Sequence, residues 1–144
     1  MPFTTLYVHV VWTTKDTHPL LTKDIRAQLF VHILENAVTK NIFIEAIGGH
    51  NEHVHCLISL DPTQTLANVM NLIKGESSFW VNKNQLMRHR FEWQDDYFGT
   101  TVSPSVVKKV RHYIQNQETH HRKKTFAQEY DEFLKACGLD KLKG

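Results

Sequence analysis

The sequence predicts an α+β fold, in which an antiparallel sheet carries helices on one face and continues into a C-terminal helical extension. Segments that alternate apolar and polar residues, as strands do, are interleaved with longer segments of helical periodicity. The 144-residue chain is long enough to bury one core and short enough to form a single domain over residues 1–144. No internal repeat, low-complexity tract or linker-like Gly/Ser run divides it.

The first half of the chain predicts three strands and two helices. Phe3–Thr13 alternates, with Val8, Val10 and Trp12 on one face and His9 and Val11 on the other. The further elements, in order, are a helix capped by Thr22 that continues to about Thr39, a strand at Ile42–Ile47, a strand at His53–Leu60, and a helix from Thr65 through Phe79. The Gly48-Gly49 pair between the second and third strands suits a tight turn.

The second half predicts one more strand and two more helices. Residues 82–96 lose the periodicity and predict an irregular segment, after which Tyr97–Ser103 predicts a short strand. Pro104 suits the first turn of a helix with Ser103 as its N-cap, and a last helix is expected from Thr125 to Ala136. The order of strand, helix, strand, strand, helix and strand is the ferredoxin-like split βαβ pattern. Such a sheet leaves one face available for a site or a partner.

The composition narrows the class of protein. The hydrophobic fraction of 41% and charged fraction of 22% are ordinary for a globular domain. We find neither an apolar run long enough for a membrane span nor the basic start of a signal peptide. Cys56 and Cys137 lie far apart, so neither a disulfide framework nor a cysteine zinc site is suggested. A reducing, cytoplasmic setting is therefore expected.

Basic residues are concentrated near the predicted third helix, although the net charge is only +2. Between residues 105 and 124 the single acid, Glu118, is outnumbered by Lys108, Lys109, Arg111, Arg122, Lys123 and Lys124. A run of this kind is either a solvated helix face or a surface that follows a phosphate backbone. Composition alone does not decide between these interpretations.

Two histidines next but one to each other begin the third predicted strand. Residues i and i+2 of a strand point to the same face, so His53 and His55 project side by side. Two neutral imidazoles in this arrangement can hold one divalent metal ion, although a chain with ten histidines also produces such pairs incidentally. A metal site would still need a third ligand and a reacting group. Tyr113 and Gln117 lie one helical turn apart and share a face, although each is also ordinary at a helix surface.

Taken together, these segments resemble a known family. His53-Val-His55 looks like the histidine-hydrophobic-histidine motif of the HUH nucleases. Tyr113-Ile-Gln-Asn-Gln117 resembles the nucleophile helix of the single-tyrosine transposases of small bacterial insertion sequences and of the related proteins associated with repetitive extragenic palindromes. The resemblance extends to "VVWTTK", "LIKGESS", "WQDDY" and "NQETHH", in the same order and spacing. Glu52 stands where the family often has aspartate.

The resemblance implies cleavage and rejoining of single-stranded DNA guided by a hairpin. Tyr113 would form a 5′-phosphotyrosine, while His53, His55 and Gln117 would bind Mg²⁺ or Mn²⁺. Contacts with the DNA backbone would come from Lys74, Lys108, Lys109, Arg111, Arg122, Lys123 and Lys124, and stacking on bases from Trp80, Trp93 or Phe98. A homodimer whose subunits can share active sites is also implied. Two other hypotheses stay open: a metal-dependent hydrolase that uses water, and a catalytically silent nucleic-acid-binding regulator.

Overall fold

A computed structural model describes residues 2–139, and over these residues four strands form one antiparallel sheet. The elements are β1 (Tyr7–Thr13), α1 (Lys23–Thr39), β2 (Phe43–Gly49), β3 (His53–Ser59), α2 (Leu66–Lys83), β4 (Phe98–Val102), α3 (Val107–Gln115), α4 (Gln117–His121) and α5 (Phe126–Ala136). The strand order β2-β3-β1-β4 is that of the ferredoxin-like split βαβ fold, which confirms the predicted fold class.

The main core lies between the sheet and the two longest helices. Alternate side chains of β1 and β3 point to this face, including Val10, Trp12 and Cys56, all of them buried. They pack against the apolar stripes of α1 and α2, which contribute Leu29 and Met70 among others. The alternation in the sequence therefore placed these side chains on the correct face.

The opposite face of the sheet carries the C-terminal helical extension. Leu57 of β3 packs with Val107 and Ile114 of α3, and Val11 of β1 packs with Leu134 of α5. The face that the split βαβ pattern leaves available is therefore covered by helices of the same chain. His53 and His55 point to this face and lie beneath these helices.

The helix starts agree with the sequence except around α3. Thr22 and Thr65 each accept a hydrogen bond from the backbone three residues on, as N-caps do. The predicted cap at Ser103 is wrong, because its side chain makes no capping bond and Pro104 opens a 3-10 turn. The α-helix proper begins at Val107.

The predicted continuous helix through Gln117 is also interrupted. α3 ends at Gln115, and Asn116 has φ −110° and ψ 29°, outside the helical region. α4 then begins at Gln117. Tyr113 and Gln117 therefore belong to successive helices rather than to one regular turn, although the Gln117 amide nitrogen still lies 3.5 Å from the carbonyl oxygen of Tyr113.

The Gly48-Gly49 pair is part of β2 and does not form the turn that the sequence suggested. Gly48 pairs with His55 and Gly49 with Val54, while residues 50–52 make the connection. A Cβ atom on Gly48 would lie only 1.9 Å from the carbonyl oxygen of Ile114 in α3. Gly48 is therefore required because the α3 backbone packs directly against the strand.

The structure confirms the irregular segment predicted after α2, and side chains of α2 hold this segment in place. The Lys74 ammonium group donates hydrogen bonds to the backbone carbonyls of Gln94, Asp95 and Asp96. Trp93 is buried and donates its indole N–H to Ser77.

Among residues 2–139, no helix has both the length and the apolar character needed to cross a membrane.

Candidate active site

The histidine pair is completely buried on the face that carries α3, α4 and α5. His53 and His55 both have 0% of their surface exposed, whereas Val54, Cys56 and Ile58 point to the other face, as the strand alternation predicts. The Nε2 atoms of both imidazoles face inward toward one carboxylate oxygen, Oε1 of Glu129, at 3.4 Å from His53 and 3.1 Å from His55. The pair thus forms the sheet side of a buried polar cluster.

The remaining residues of the predicted site reach this cluster from α3 and α4 of the same chain. Oε1 of Gln117 lies 3.1 Å from Nε2 of His53, and Gln117 is buried. The Tyr113 ring meets the His55 ring edge to face, with centroids 5.7 Å apart. The structure therefore brings His53, His55, Tyr113 and Gln117 together within one subunit.

Glu129 is the member of the cluster that sequence reasoning missed. Its carboxylate is buried, with Oε1 facing the histidine pair. Oε2 accepts a hydrogen bond from the Tyr113 hydroxyl and lies 3.3 Å from the Gln117 amide nitrogen. A signal for it was present in the sequence: Glu129 falls three residues after Phe126 and four before Phe133, on the apolar stripe of α5.

A second layer of hydrogen bonds orients the two imidazoles. Nδ1 of His55 lies 2.9 Å from Nε2 of His9 on the neighbouring strand β1. Nδ1 of His53 lies 2.6 Å from a carboxylate oxygen of Glu52. Partners of this kind on the outer nitrogen fix the ring and its tautomer, so that the inner nitrogen is presented to a ligand. The alternation of β1 placed His9 on this face, but its role depends on a neighbouring strand.

Burial determines the protonation state of His9 and His55, whose rings are hydrogen-bonded to each other. Burial, and then the neighbouring His55, lowers the pKa of His9 to about 3. Burial lowers the pKa of His55 to about 4, although its hydrogen bond to Glu129 acts in the opposite direction. Both rings are therefore neutral near pH 7, which is the form in which an imidazole binds a metal ion.

The pKa values of His53, Glu129 and Tyr113 reflect burial first and then the hydrogen bonds that Glu129 makes. Burial alone would lower the pKa of His53, but its hydrogen bonds, first to Glu129 and then to Glu52, raise it. Burial alone would raise the pKa of Glu129, but the surrounding imidazoles hold it far below its usual range. Burial, and then the bond to Glu129, raises the pKa of Tyr113 well above that of a free phenol.

The donor atoms fit a divalent cation. The ligand atoms of His53, His55 and Glu129 lie within 4.8 Å of one another, and the amide oxygen of Gln117 lies 3.1 Å from Nε2 of His53. Imidazole nitrogens together with carboxylate and amide oxygens suit Mn²⁺, and oxygen ligands also suit Mg²⁺. His120 and His121 form a second possible group with the same Glu129, so this carboxylate is common to both.

The basic residues predicted to contact DNA differ in their exposure and in the partners that they already have. Lys108, Lys109, Arg122 and Lys123 are exposed. Arg111 is paired with Glu45 at 3.2 Å, and Lys124 with Glu132 at 2.6 Å. Lys74 lies on α2, across the sheet from the histidine pair, and already donates to three carbonyls.

The three aromatic residues predicted to stack on bases differ in how deeply they are buried. Trp93 and Phe98 are buried, with 7% and 4% of their surface exposed, and both belong to hydrophobic clusters. Trp80 is partly exposed, but its ring stacks on His32 at a centroid distance of 4.2 Å. Trp93 and Phe98 are therefore parts of the core in this structure.

Comparisons with known proteins agree with the fold and with the family resemblance. The profile of the family described as "Transposase IS200 like" matches residues 2–117. The chain is 25% identical over 117 residues to the ISDra2 transposase TnpA of Deinococcus radiodurans, covering 78% of this chain and 84% of that protein. It also resembles the crystal structure of a protein from D. radiodurans R1 described as a candidate transposase, with a TM-score of 0.63, 23% identity, and coverage of 81% of this chain and 93% of that one.

A further similar structure is that of a REP-associated tyrosine transposase bound to a REP hairpin. The TM-score is 0.55 at 15% identity, and the similarity covers 79% of this chain and 66% of that one. At this level of identity the likeness concerns the fold. Glu129 and the whole of α5 lie beyond the residues that the family profile matches.

Proposed function

The chain belongs to the IS200-like transposase family, and we propose that it cleaves and rejoins single-stranded DNA beside a hairpin, with Tyr113 as the nucleophile. The observation that carries this proposal is that Tyr113, the His53-His55 pair and Gln117 lie together in a single chain. The Tyr113 ring meets the His55 ring, and Gln117 contacts both His53 and the backbone of Tyr113. The solved relative that holds a REP hairpin supports the choice of substrate class.

The proposed step is an exchange of one phosphate ester for another. The Tyr113 hydroxyl loses its proton to solvent, and its oxygen attacks the scissile phosphorus to form a phosphotyrosine in which the phosphorus keeps the 5′ oxygen of the downstream strand. The bond from phosphorus to the 3′ oxygen breaks, and that oxygen takes a proton to become a free 3′-hydroxyl. Attack by a 3′-hydroxyl on the phosphotyrosine reverses these changes, rejoins the strand and releases Tyr113, so no ATP is consumed.

His53, His55 and Gln117 are the proposed holders of Mg²⁺ or Mn²⁺. When bound, such a cation acts as a Lewis acid that neutralises charge growing on the phosphate and favours the ionised phenol. His9 and Glu52 hold the outer nitrogens of the two imidazoles, and thereby keep the inner nitrogens aimed at the cation position.

Tyr113 is held in a protonated resting state. Its hydroxyl donates to Glu129, and burial together with this bond raises its pKa, so the phenol keeps its proton until the substrate and the cation are in place. Tyr113 and His120 are partly exposed, whereas the histidine pair is buried. The scissile phosphate is therefore expected to approach from the side of Tyr113 and His120.

The exposed basic residues give a path for the DNA backbone. Lys108 and Lys109 lie on the helix that carries Tyr113, and Arg122 and Lys123 follow α4. Phosphate contacts there would position the strand without reading its sequence. Arg111, Lys124 and Lys74 would have to exchange their present partners to contribute. A homodimer and a cytoplasmic location belong to the same proposal. Because His53, His55, Tyr113 and Gln117 lie together in one chain, sharing of sites between subunits would require an exchange of the tyrosine helix.

The proposal is tested with a pool of single-stranded oligonucleotides, each carrying one stem-loop with randomised flanking bases. Incubation with Mn²⁺ is expected to give a protein-DNA band that resists denaturant. The band disappears in Tyr113→Phe and persists in the control Tyr7→Phe. His53→Ala and His55→Ala are expected to bind the hairpin without cutting it.

The alternative hypotheses give different results in the same assay. Cleavage that survives Tyr113→Phe would favour a hydrolase in which water is the nucleophile. Hairpin binding with neither cleavage nor adduct in the wild type would favour a silent regulator. Normal cutting by both histidine variants would show that the proposed metal ligands are wrong.

A further inference from the structure

We propose that Glu129 of α5 is a ligand of the same cation through Oε1, and that it positions the Tyr113 hydroxyl beside that cation through Oε2. This inference rests on the proposed function, because it adds a member to the same site. It assigns a role to a residue outside the stretch that the family profile matches. The chemistry supplied is an anionic ligand in a site whose other proposed ligands are neutral.

The two oxygens of the carboxylate face different halves of the site. Oε1 lies 3.1 Å from Nε2 of His55 and 3.4 Å from Nε2 of His53. Oε2 accepts the hydrogen bond of the Tyr113 hydroxyl and lies 3.3 Å from the Gln117 amide nitrogen. One carboxylate therefore joins the proposed metal ligands to the proposed nucleophile.

Charge balance favours a ligand at this position. The His53, His55 and Gln117 side chains would contribute two imidazoles and an amide, all without negative charge as ligands. A dication buried among them is costly unless an anion lies beside it. Glu129 has 1% of its surface exposed, and it supplies this negative charge before any phosphate arrives.

The local sequence holds Glu129 firmly in place. Thr125 and Gln128 form a complete capping box at the start of α5, so Glu129 lies in the first helical turn. The Phe126 ring stacks on His53 at a centroid distance of 4.3 Å, and the Phe133 ring packs against His55 at 5.9 Å. α5 thus covers the histidine pair and presents its one buried carboxylate to it.

An ion pair with no role in metal binding would produce the same contacts, so the test measures metal affinity directly. Free Mn²⁺ is followed by electron paramagnetic resonance during titration of the full chain without DNA. Glu129→Gln keeps the shape and the hydrogen bonding of the side chain but removes its charge. Glu132→Gln, one turn further along α5 and exposed, is the matched control.

We expect Glu129→Gln to weaken Mn²⁺ binding by about 10–100-fold, and Glu132→Gln to bind as the wild type does. Wild-type Mn²⁺ affinity in Glu129→Gln would overturn the inference, and so would a wild type that binds no Mn²⁺. If Glu129→Gln does not fold, anomalous diffraction from a wild-type crystal with Mn²⁺ decides. The expected ion lies about 2–2.5 Å from Oε1 of Glu129, and an ion bound to the histidines but not to this oxygen would overturn the inference.

Failure of the proposed function gives a different pattern. Undiminished Mn²⁺ affinity in His53→Ala would remove the proposed metal site, and an adduct formed by Tyr113→Phe would remove the proposed nucleophile. A result in which both histidine variants lose Mn²⁺ while Glu129→Gln retains it would leave the proposed function standing and reject Glu129 alone.

Discussion

Replacement of Gly48 by alanine tests how closely the tyrosine helix must approach the sheet. The added Cβ would lie 1.9 Å from the Ile114 carbonyl oxygen, whereas ordinary contact begins near 3.4 Å, so α3 has to move outward by about 1.5 Å. Tyr113 precedes Ile114 and moves with it. We expect overpacking to lower the free energy of unfolding by about 1–3 kcal/mol. A misplacement of this size is also expected to slow adduct formation by about 100-fold.

Two measurements on each variant separate packing from placement of the nucleophile. Denaturant unfolding gives the loss in stability, and single-turnover adduct formation under fully folded conditions gives the rate. Gly75→Ala is the control, because no atom outside its own stretch of helix backbone lies within 4 Å of its Cβ position on α2. We expect this control to gain about 0.5–1 kcal/mol at an unchanged rate. Wild-type stability and wild-type rate in Gly48→Ala would refute the reasoning.

Three further variants, two single and one double, test other parts of the site. His9→Leu removes the hydrogen-bond partner of His55 Nδ1 and should weaken Mn²⁺ binding by about 10–100-fold. His89→Leu, on the surface, is the control and should bind Mn²⁺ as the wild type does. Equal Mn²⁺ affinities of the two variants would contradict the role of His9. Thr125→Ala breaks the capping box of α5 and should cost about 1 kcal/mol in denaturant unfolding, with exposed Thr119→Ala as the control. The double variant Lys108→Ala, Lys109→Ala tests the backbone contacts through the salt dependence of hairpin affinity. A plot of log affinity against log salt concentration should be shallower than in the wild type by about 1.4–1.8. A slope equal to that of the control Lys83→Ala would exclude the proposed contacts.

The parts of the fold that depend on local pattern could be predicted from the sequence. Alternation in β3 placed His53 and His55 on the face opposite Cys56, and the structure agrees. Thr22 and Thr65 marked the helix starts because a side-chain cap is a local interaction. The strand order followed from the order of the elements and the short connection between the second and third strands.

Contacts between distant segments limited the prediction elsewhere. The sequence predicts a turn at Gly48 and misses its packing role, because the close approach comes from Ile114, which lies in another element of the fold. The family resemblance predicts a DNA contact for Lys74, whereas in the structure its ammonium group donates to carbonyls of a segment twenty residues further on. The sequence alone does not identify Glu129 as a site residue, because a carboxylate on an apolar helix stripe indicates a site only when the strand that it faces is known.

The covalent attachment point is the most direct test of the central claim. The wild-type protein is incubated with Mn²⁺ and the stem-loop pool, the denaturant-resistant product is digested, and the modified peptide is identified by mass spectrometry. We predict a nucleotide joined through its 5′ phosphate to Tyr113, formed with the cation and absent when a chelator is present. A nucleotide on any other residue, or strand cleavage that leaves no modified peptide, would contradict the assignment of Tyr113 as the nucleophile.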